Sequence, residues 1–121
     1  MKHIRLNGII AAVGLAVMLL LQSAQSQAAY NDGNTLLREC ESDSAAMYNA
    51  CAGYIIGIHD YQDSLVFSSL LDEPYFCAPD SAKMSQLVKV VTKYLNEHPE
   101  KLHLDAGSLV ANALNEPFPC T

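Results

Sequence analysis

The stretch Cys51-Ala52-Gly53-Tyr54-Ile55-Ile56-Gly57-Ile58-His59-Asp60 decides the fold of this 121-residue chain. Apolar residues continue from it in both directions at steps of three and four, which is the period of an amphipathic helix. A strand is not expected, because strict alternation is missing and the segment is too long. The predicted helix begins at Ala45 and ends near Ser69. Its apolar face comprises Met47, Cys51, Tyr54, Ile55, Ile58, either Tyr61 or Gln62, and Leu65.

Two glycines mark one side of this helix. Gly53 and Gly57 are four residues apart and therefore lie on the same face. Because glycine inside a helix costs about 1 kcal/mol relative to alanine, the pair predicts that a backbone or a bulky side chain packs closely there. Tyr54 and Asp60 are predicted to be structural as well, with Asp60 bracing or capping a neighbouring segment.

The N-terminal 28 residues have the features of a secretory signal peptide. A start containing Lys2 and Arg5 precedes an apolar run, and Ser26 and Ala28 occupy the −3 and −1 positions of a small-x-small cleavage site. Residues 8–21 make a run of 14, whereas a membrane-spanning helix needs about 20. A cleaved peptide ending at Ala28 is therefore favoured over a retained membrane anchor.

Cleavage would leave residues 29–121, a single domain of 93 residues that contains all four cysteines. A core of this size gives limited stability, and an even cysteine count in a short exported chain indicates two disulfides. Three pairings are open. We favour Cys40 with Cys51, because they join neighbouring segments, and Cys77 with Cys120, because this bridge would hold the C-terminus.

The charge of the mature chain limits its partners. Five basic and 13 acidic residues remain after cleavage, for a net charge of −8. Nucleic acids and anionic membranes are disfavoured, because both attract basic proteins. A basic protein partner would be attracted. The alternative, that the charge only keeps an exported domain soluble, stays open.

Three further helices are predicted around the central one, and the fold class is all-α, a small disulfide-stapled bundle of about four helices. The first is expected over Thr35 to about Glu41 with Asn34 as its cap. Another is expected over about Ala82 to Glu97, capped by Asp80 or Ser81 and ended by Pro99. The last is expected over about Asp105 to Glu116. An ordered loop, residues 70–80, carries two prolines and Cys77.

No pattern of catalytic or cofactor-binding residues is found. His59 and Asp63 could share a metal at i and i+4, but a third ligand is missing, so a solvated or hydrogen-bonded pair is expected. His98 and His103 flank a helix-breaking turn and are expected to serve turn structure. A cysteine nucleophile would need a free thiolate, and all four cysteines are expected to be paired. We therefore expect no enzyme activity and no cofactor.

The loop that follows the central helix is the candidate binding segment. Leu70, Leu71, Tyr75 and Phe76 surround Asp72 and Glu73. Protein interfaces commonly combine apolar anchors with charges at their rim in this way. The alternative is that the aromatic residues fold back onto the core beneath Cys77, and a well-anchored loop can do both.

Several short motifs resemble the Rap/Tai immunity domain over about Gly33 to Cys120. They are Cys51-x-Gly53-Tyr54-x-x-Gly57-x-x-Asp60, Cys77-x-Pro79, Gln86-Leu87 with Tyr94-Leu95, His98-Pro99-Glu100 and Phe118-Pro119-Cys120.

The resemblance implies a periplasmic, helical, disulfide-bonded homodimer that protects a cell from type VI secretion effectors. Those effectors are peptidoglycan amidases, and occlusion of the active-site groove is the expected mechanism. The contacts we would expect first are Asp72, Glu73, Tyr75 and Phe76, and then the turn containing Glu97, His98 and Glu100. A second hypothesis is a small periplasmic acid-stress chaperone, in which protonation of carboxylates or histidines exposes apolar surface.

Overall fold

The computed structural model describes residues 31–121, and the predicted signal peptide and its cleavage site at Ala28 lie outside them. The described chain folds into four α-helices and one short 3₁₀ turn, which confirms the predicted all-α bundle. No strand occurs within this part of the chain, where the only β-type pairing is an isolated bridge between Asp32 and Asp105. The helices are α1 (Gly33–Cys40), α2 (Ala45–Phe67), α3 (Met84–Glu97) and α4 (Ala106–Asn115), and the 3₁₀ turn is Pro99–Lys101.

Helix α2 is the central element, and it contacts each of the other three helices. Its buried positions resolve the choice left open above in favour of Gln62, which is 2 % exposed, over Tyr61, which is 62 % exposed. The core also takes residues from every helix and from the loop before α3. Its largest fully buried side chains are Phe76, Leu36, Ile55, Leu95, Leu109, Leu114, Val91 and Val110.

Both favoured disulfides are present. Cys40–Cys51 joins α1 to α2 with 5.1 Å between the Cα atoms. Cys77–Cys120 joins the loop before α3 to the C-terminus with 5.0 Å between the Cα atoms. The first bridge fixes how two neighbouring helices cross, and the second fixes the loop that leads away from α2.

Hydrogen bonds to the first free amides set the helix starts and move two of them from the predicted positions. Helix α1 is capped by Asp32 instead of Asn34, because the Asp32 carboxylate accepts the Thr35 amide at 2.8 Å. Helix α3 begins two residues later than predicted, at Met84, with Lys83 at its cap. There the Gln86 side chain accepts the Lys83 amide at 2.8 Å. Asp105 caps α4 by accepting the Ser108 amide.

Two of the predicted structural roles are not observed within the described chain. Gly53 and Gly57 are exposed, and a Cβ atom built on either would meet no other atom within 4 Å. Nothing in the described chain packs against that side of α2. The side chain of Asp60 is 76 % exposed, with the His59 ring at 3.9 Å, so it does not brace another segment. These positions follow the core-facing residues in sequence but fall on the opposite side of the helix.

The close backbone approach occurs at a different glycine, Gly33. Its amide donates to Leu104 O at 3.1 Å, and the next amide donates to Leu102 O at 3.0 Å. A Cβ atom on Gly33 would lie 2.6 Å from Leu109 Cδ1 and 2.9 Å from the Leu102 backbone. Glycine therefore lets the start of α1 pack directly on the segment before α4.

Candidate partner-binding surface

Helix α2 ends in an exposed apolar and acidic surface, which we call the loop tip and define as Phe67, Leu70, Asp72, Glu73 and Tyr75. Phe67 is 92 % exposed, Leu70 76 % and Tyr75 55 %. Both acidic residues between them are exposed as well. Large apolar side chains beside carboxylates form the combination of anchor and rim that protein interfaces use.

A tight turn at the C-terminal end of α2 creates this surface. Ser69 adopts a left-handed backbone conformation with φ of 55°. The amides of Leu70 and Leu71 turn back and both donate to Leu65 O, at 2.9 and 3.2 Å. This reversal satisfies a carbonyl at the helix end and stops the helix there.

The base of the loop is held by one buried side chain, Gln62. Its Oε1 atom accepts the amides of Tyr75 at 3.0 Å and Phe76 at 3.4 Å, and its Nε2 atom donates to Phe76 O at 2.9 Å. Gln62 thus replaces the backbone partners that a strand or a helix would have supplied to these two residues. The amide group has no unused buried polar atom.

Further contacts fix the same segment from the C-terminal side. Asn115 Nδ2 donates to Tyr75 O at 2.7 Å, and the Cys77 amide donates to Phe118 O at 2.8 Å. The Cys77–Cys120 disulfide adds a covalent connection. The loop tip is therefore presented on an ordered base, which reduces the entropy lost on binding.

One expected surface contact must be corrected. The Phe76 side chain is fully buried in the core, with its ring centroid 5.6 Å from that of His59. It therefore cannot offer an anchor on this surface. The two alternatives for the aromatic residues are both realised, since Tyr75 points outward and Phe76 inward.

The second expected segment, Glu97 to Glu100, lies elsewhere on the molecule. The loop precedes the first turn of α3 and this segment follows the last turn, so a helix of 14 residues, about 20 Å long, lies between them in the chain. Glu97 and Glu100 are exposed. His98 is used internally, since its ring stacks on that of Tyr94 at 4.1 Å and its Nδ1 lies 2.8 Å from Tyr94 O.

Lys101 completes this second cluster and changes its charge. Its Nζ atom donates to the Tyr94 hydroxyl at 3.1 Å and lies 5.3 Å from the centre of that ring. The hydrogen bond to Tyr94 raises the pKa of Lys101. A stable positive charge therefore accompanies the two carboxylates here, whereas the loop tip carries acidic charge alone.

The structure places the half-buried His59 beside the exposed Asp63, with 3.4 Å between Nδ1 and Oδ2. Among residues 31–121 no group of three or more potential metal ligands comes together. No helix in the same range has the length and apolar character to cross a membrane.

Two features of this surface are not among those predicted from the sequence. Phe67 follows Asp60 and Ser64 at steps of four and three and so shares their exposed face, which is the signal that could have found it. The role of Gln62 has no such signal, because a loop has no periodicity that shows which of its amides a distant side chain will accept.

Comparison with known proteins identifies one family. A family model described as Rap1a immunity proteins matches residues 32–120, which is most of the chain. Comparisons with curated proteins and with solved structures gave no match.

Proposed function

This chain belongs to the Rap1a immunity protein family, and from that premise we propose that it binds and inhibits a peptidoglycan amidase delivered by a type VI secretion system. In this proposal the loop tip enters the active-site groove of the amidase and blocks it. The immunity protein makes and breaks no bonds itself. It acts in the periplasm, where the two disulfides are stable and the amidase would reach its substrate.

The observation that carries the proposal is the loop tip. Phe67 and Leu70 expose large apolar side chains beside two carboxylates. Exposed apolar surface rimmed by polar residues commonly marks a site of protein–protein contact. An enzyme that acts on an anionic polymer is expected to be basic around its groove, so acidic residues at the tip would attract it. The ordered base would hold the anchors in place during binding.

Co-purification tests the function itself. The tagged immunity protein, exported to the periplasm, should retain the product of the neighbouring open reading frame if that product is the amidase. The isolated complex should hydrolyse peptidoglycan more slowly than the free enzyme. A neighbour that neither binds nor is inhibited would contradict the proposal.

Charge reversal tests the surface. Asp72→Lys with Glu73→Lys should slow association about tenfold or more at low salt and reduce the salt dependence of the rate, because steering acts mainly on association. Glu41→Lys with Asp43→Lys is the matched control, since it reverses the same number of charges at exposed residues between α1 and α2. Equal effects of the two variants in stopped-flow binding would remove the loop tip from the interface. Reversal at Glu97 and Glu100 tests the second segment in the same assay.

A homodimer is also part of the proposal. Ala46, Ala50, Gly53 and Gly57 share one exposed face of α2, and their small size leaves room for a close helix–helix approach. Gly57→Arg should therefore shift the mass measured by light scattering from dimer to monomer. Ser85→Arg, an exposed substitution on α3, should leave the mass unchanged. A wild-type monomer at micromolar concentration would contradict the dimer.

A further inference from the structure

A groove between α2 and α4 lies beside the loop tip and has one mainly apolar wall and one polar wall. Its volume is about 380 Å³. One wall comes from α2 and the loop and is mainly apolar and aromatic, comprising Ile58, Tyr61 and Tyr75 above the buried Gln62. The other comes from α4 and carries Asp105, Ser108 and Asn112 beside Gly107 and Ala111.

Three polar residues on the α4 wall share one face of that helix. Asp105, Ser108 and Asn112 are spaced by three and four residues. Ser108 donates its amide at 2.8 Å and its hydroxyl at 3.0 Å to Oδ2 of Asp105. These bonds orient the carboxylate, and in the described part of the chain no hydrogen bond ends on Oδ1. An ionised carboxylate can accept several donors, so Asp105 retains acceptor capacity.

The groove contains no positive charge of its own. The five basic residues of the described chain are Arg38, Lys83, Lys89, Lys93 and Lys101, and none of them lines it. Asp105 is exposed, and its charge, together with the larger effect of burial, raises the pKa of the nearby Tyr54 hydroxyl. The carboxylate is therefore available to a cation from another molecule.

We propose that this groove receives an arginine side chain of the protein partner, an assignment that rests on the proposed function. The aliphatic stem of arginine would cover Ile58 and Ala111, as long basic side chains commonly cover apolar surface. Its planar guanidinium would stack on an exposed tyrosine and donate to Asp105. Tyr75 belongs to both surfaces, so the groove extends the loop tip along the molecule.

Glycine at position 107 keeps the groove open. A Cβ atom there would lie 3.3 Å from both Asp105 Oδ2 and Ile58 Cδ1, which come from opposite walls. A larger side chain at this position would contact both walls and fill the space in which the guanidinium would bind.

The test uses a small probe, N-acetyl-L-arginine amide, so that it does not depend on the identity of the partner. In ¹⁵N-resolved NMR titrations of the exported protein, the probe should shift the amides of Tyr75, Gly107, Ser108 and Ala111. The neutral isostere N-acetyl-L-citrulline amide should shift them at least fivefold less at the same concentration. Asp105→Asn should weaken the arginine response at least fivefold. This variant should still fold, because asparagine caps a helix as well as aspartate.

Matched variants separate the groove from general acidity. Asp72→Asn removes the same charge from the loop tip and should leave the arginine response of the groove unchanged. Tyr61→Ala should weaken it while the fold persists, since Tyr61 is exposed. Equal shifts with the citrulline probe would overturn the proposal, as would shifts spread over all exposed carboxylates or equal losses in Asp72→Asn and Asp105→Asn.

Failure of the arginine site and failure of the proposed function give different results. A negative titration would remove the arginine site and leave the amidase complex standing if co-purification succeeds. In that complex, Asp105→Asn should weaken binding about tenfold and Asp43→Asn should have no effect. An unchanged affinity in Asp105→Asn would overturn the arginine contact even if the loop tip binds.

Discussion

Gln62 shows how one residue can determine what a surface presents. It sits on the core-facing side of α2, 2 % exposed, and uses its amide to bind two consecutive backbone units of the loop. As a result Tyr75 is directed outward and Phe76 inward. A hydrocarbon of similar size would fill the same space but leave these backbone groups buried and without partners.

Gln62→Ala should therefore lower the free energy of unfolding by about 2–4 kcal/mol, because at least two hydrogen bonds disappear and buried backbone groups lose their partners. Urea denaturation followed by circular dichroism measures the change. Asp63→Ala, at the exposed neighbouring position, is the control and should change stability by less than about 0.5 kcal/mol. Equal effects of the two substitutions would show that the loop base is held by its other contacts alone.

Glycine substitutions at residues 33 and 57 should have opposite effects. Gly57→Ala places its methyl group in space that is open within one copy of the chain, and it should stabilise the helix of the isolated monomer by about 0.5–1 kcal/mol. Gly33→Ala forces its methyl against the Leu102 backbone and should destabilise the fold by about 1–3 kcal/mol. Thermal unfolding of both variants measures the difference. A destabilised Gly57→Ala protein would indicate that a contact with this face, such as a second copy, had been lost.

The burial of single residues can be predicted from the sequence where apolar residues recur with the period of a helix. It cannot be predicted where no such period exists. The apolar spacing of α2 placed Cys51 and Ile55 in the core. The same spacing says little about the far side of the helix, where Gly53 and Gly57 were expected to be covered. In the loop, Tyr75 and Phe76 are both aromatic, and although phenylalanine is the more apolar of the two, no period in the sequence shows that one points inward and the other outward; the hydrogen bonds of Gln62 hold them in this arrangement.

At the scale of elements, the helices could be predicted and the residues that cap them could not. All four helices were expected within two residues of their observed limits, because each has an apolar face of helical period. The ends depend on which of several polar side chains reaches a free amide. Asp32 reaches Thr35, and Asn34 instead donates its side-chain amide to Leu102 O at 3.0 Å.

The two disulfides hold different elements and should contribute differently to stability. Cys77 and Cys120 are 43 residues apart, and Cys40 and Cys51 are 11 apart. The loop-entropy model assigns about 4 kcal/mol to the first bridge and about 3 kcal/mol to the second. Replacing both cysteines of the longer bridge by alanine should therefore lower the unfolding midpoint more.

Limited proteolysis adds a local measurement to the same comparison. Loss of Cys77–Cys120 should expose residues 68–83 to cleavage, because this bridge anchors the segment beneath the loop tip. Loss of Cys40–Cys51 should leave the segment protected. Equal protection in the two variants would mean that Gln62 and Asn115 suffice to hold the loop, and that the bridge acts on global stability only.

For the whole molecule, the distribution of ionisable groups distinguishes an immunity protein from an acid-stress chaperone. Within residues 31–121 Gln62 is the only buried residue of the polar or charged class, so no carboxylate or imidazole is enclosed in the core. The half-buried His98 lies outside the core, with its Nδ1 atom 2.8 Å from Tyr94 O. Protonation at mildly acidic pH therefore adds no charge within the core, and the fold should not open.

The molecule should accordingly stay folded from pH 7 to pH 5 and lose stability only below about pH 4. Hydrogen bonds from the Thr35 amide and hydroxyl lower the pKa of Asp32 from its ordinary value of 3.8. The stability due to this cap is present above pH 3.8 and is lost as the pH falls through the lower folded-state pKa. Asp32→Asn keeps a cap without a titrating group, so its stability should fall less between pH 5 and pH 3 than that of the wild-type protein.

Circular dichroism and binding of a hydrophobic dye from pH 7 to pH 3, with urea denaturation at pH 7, 5 and 3, measure this profile. Constant dye fluorescence down to pH 5 is the expected result, because the apolar residues at the loop tip are already exposed and no new surface appears. A rise in dye binding between pH 7 and pH 5 with helix content retained would contradict it. That result would favour the chaperone hypothesis, since exposure of apolar surface on protonation is what such a chaperone requires.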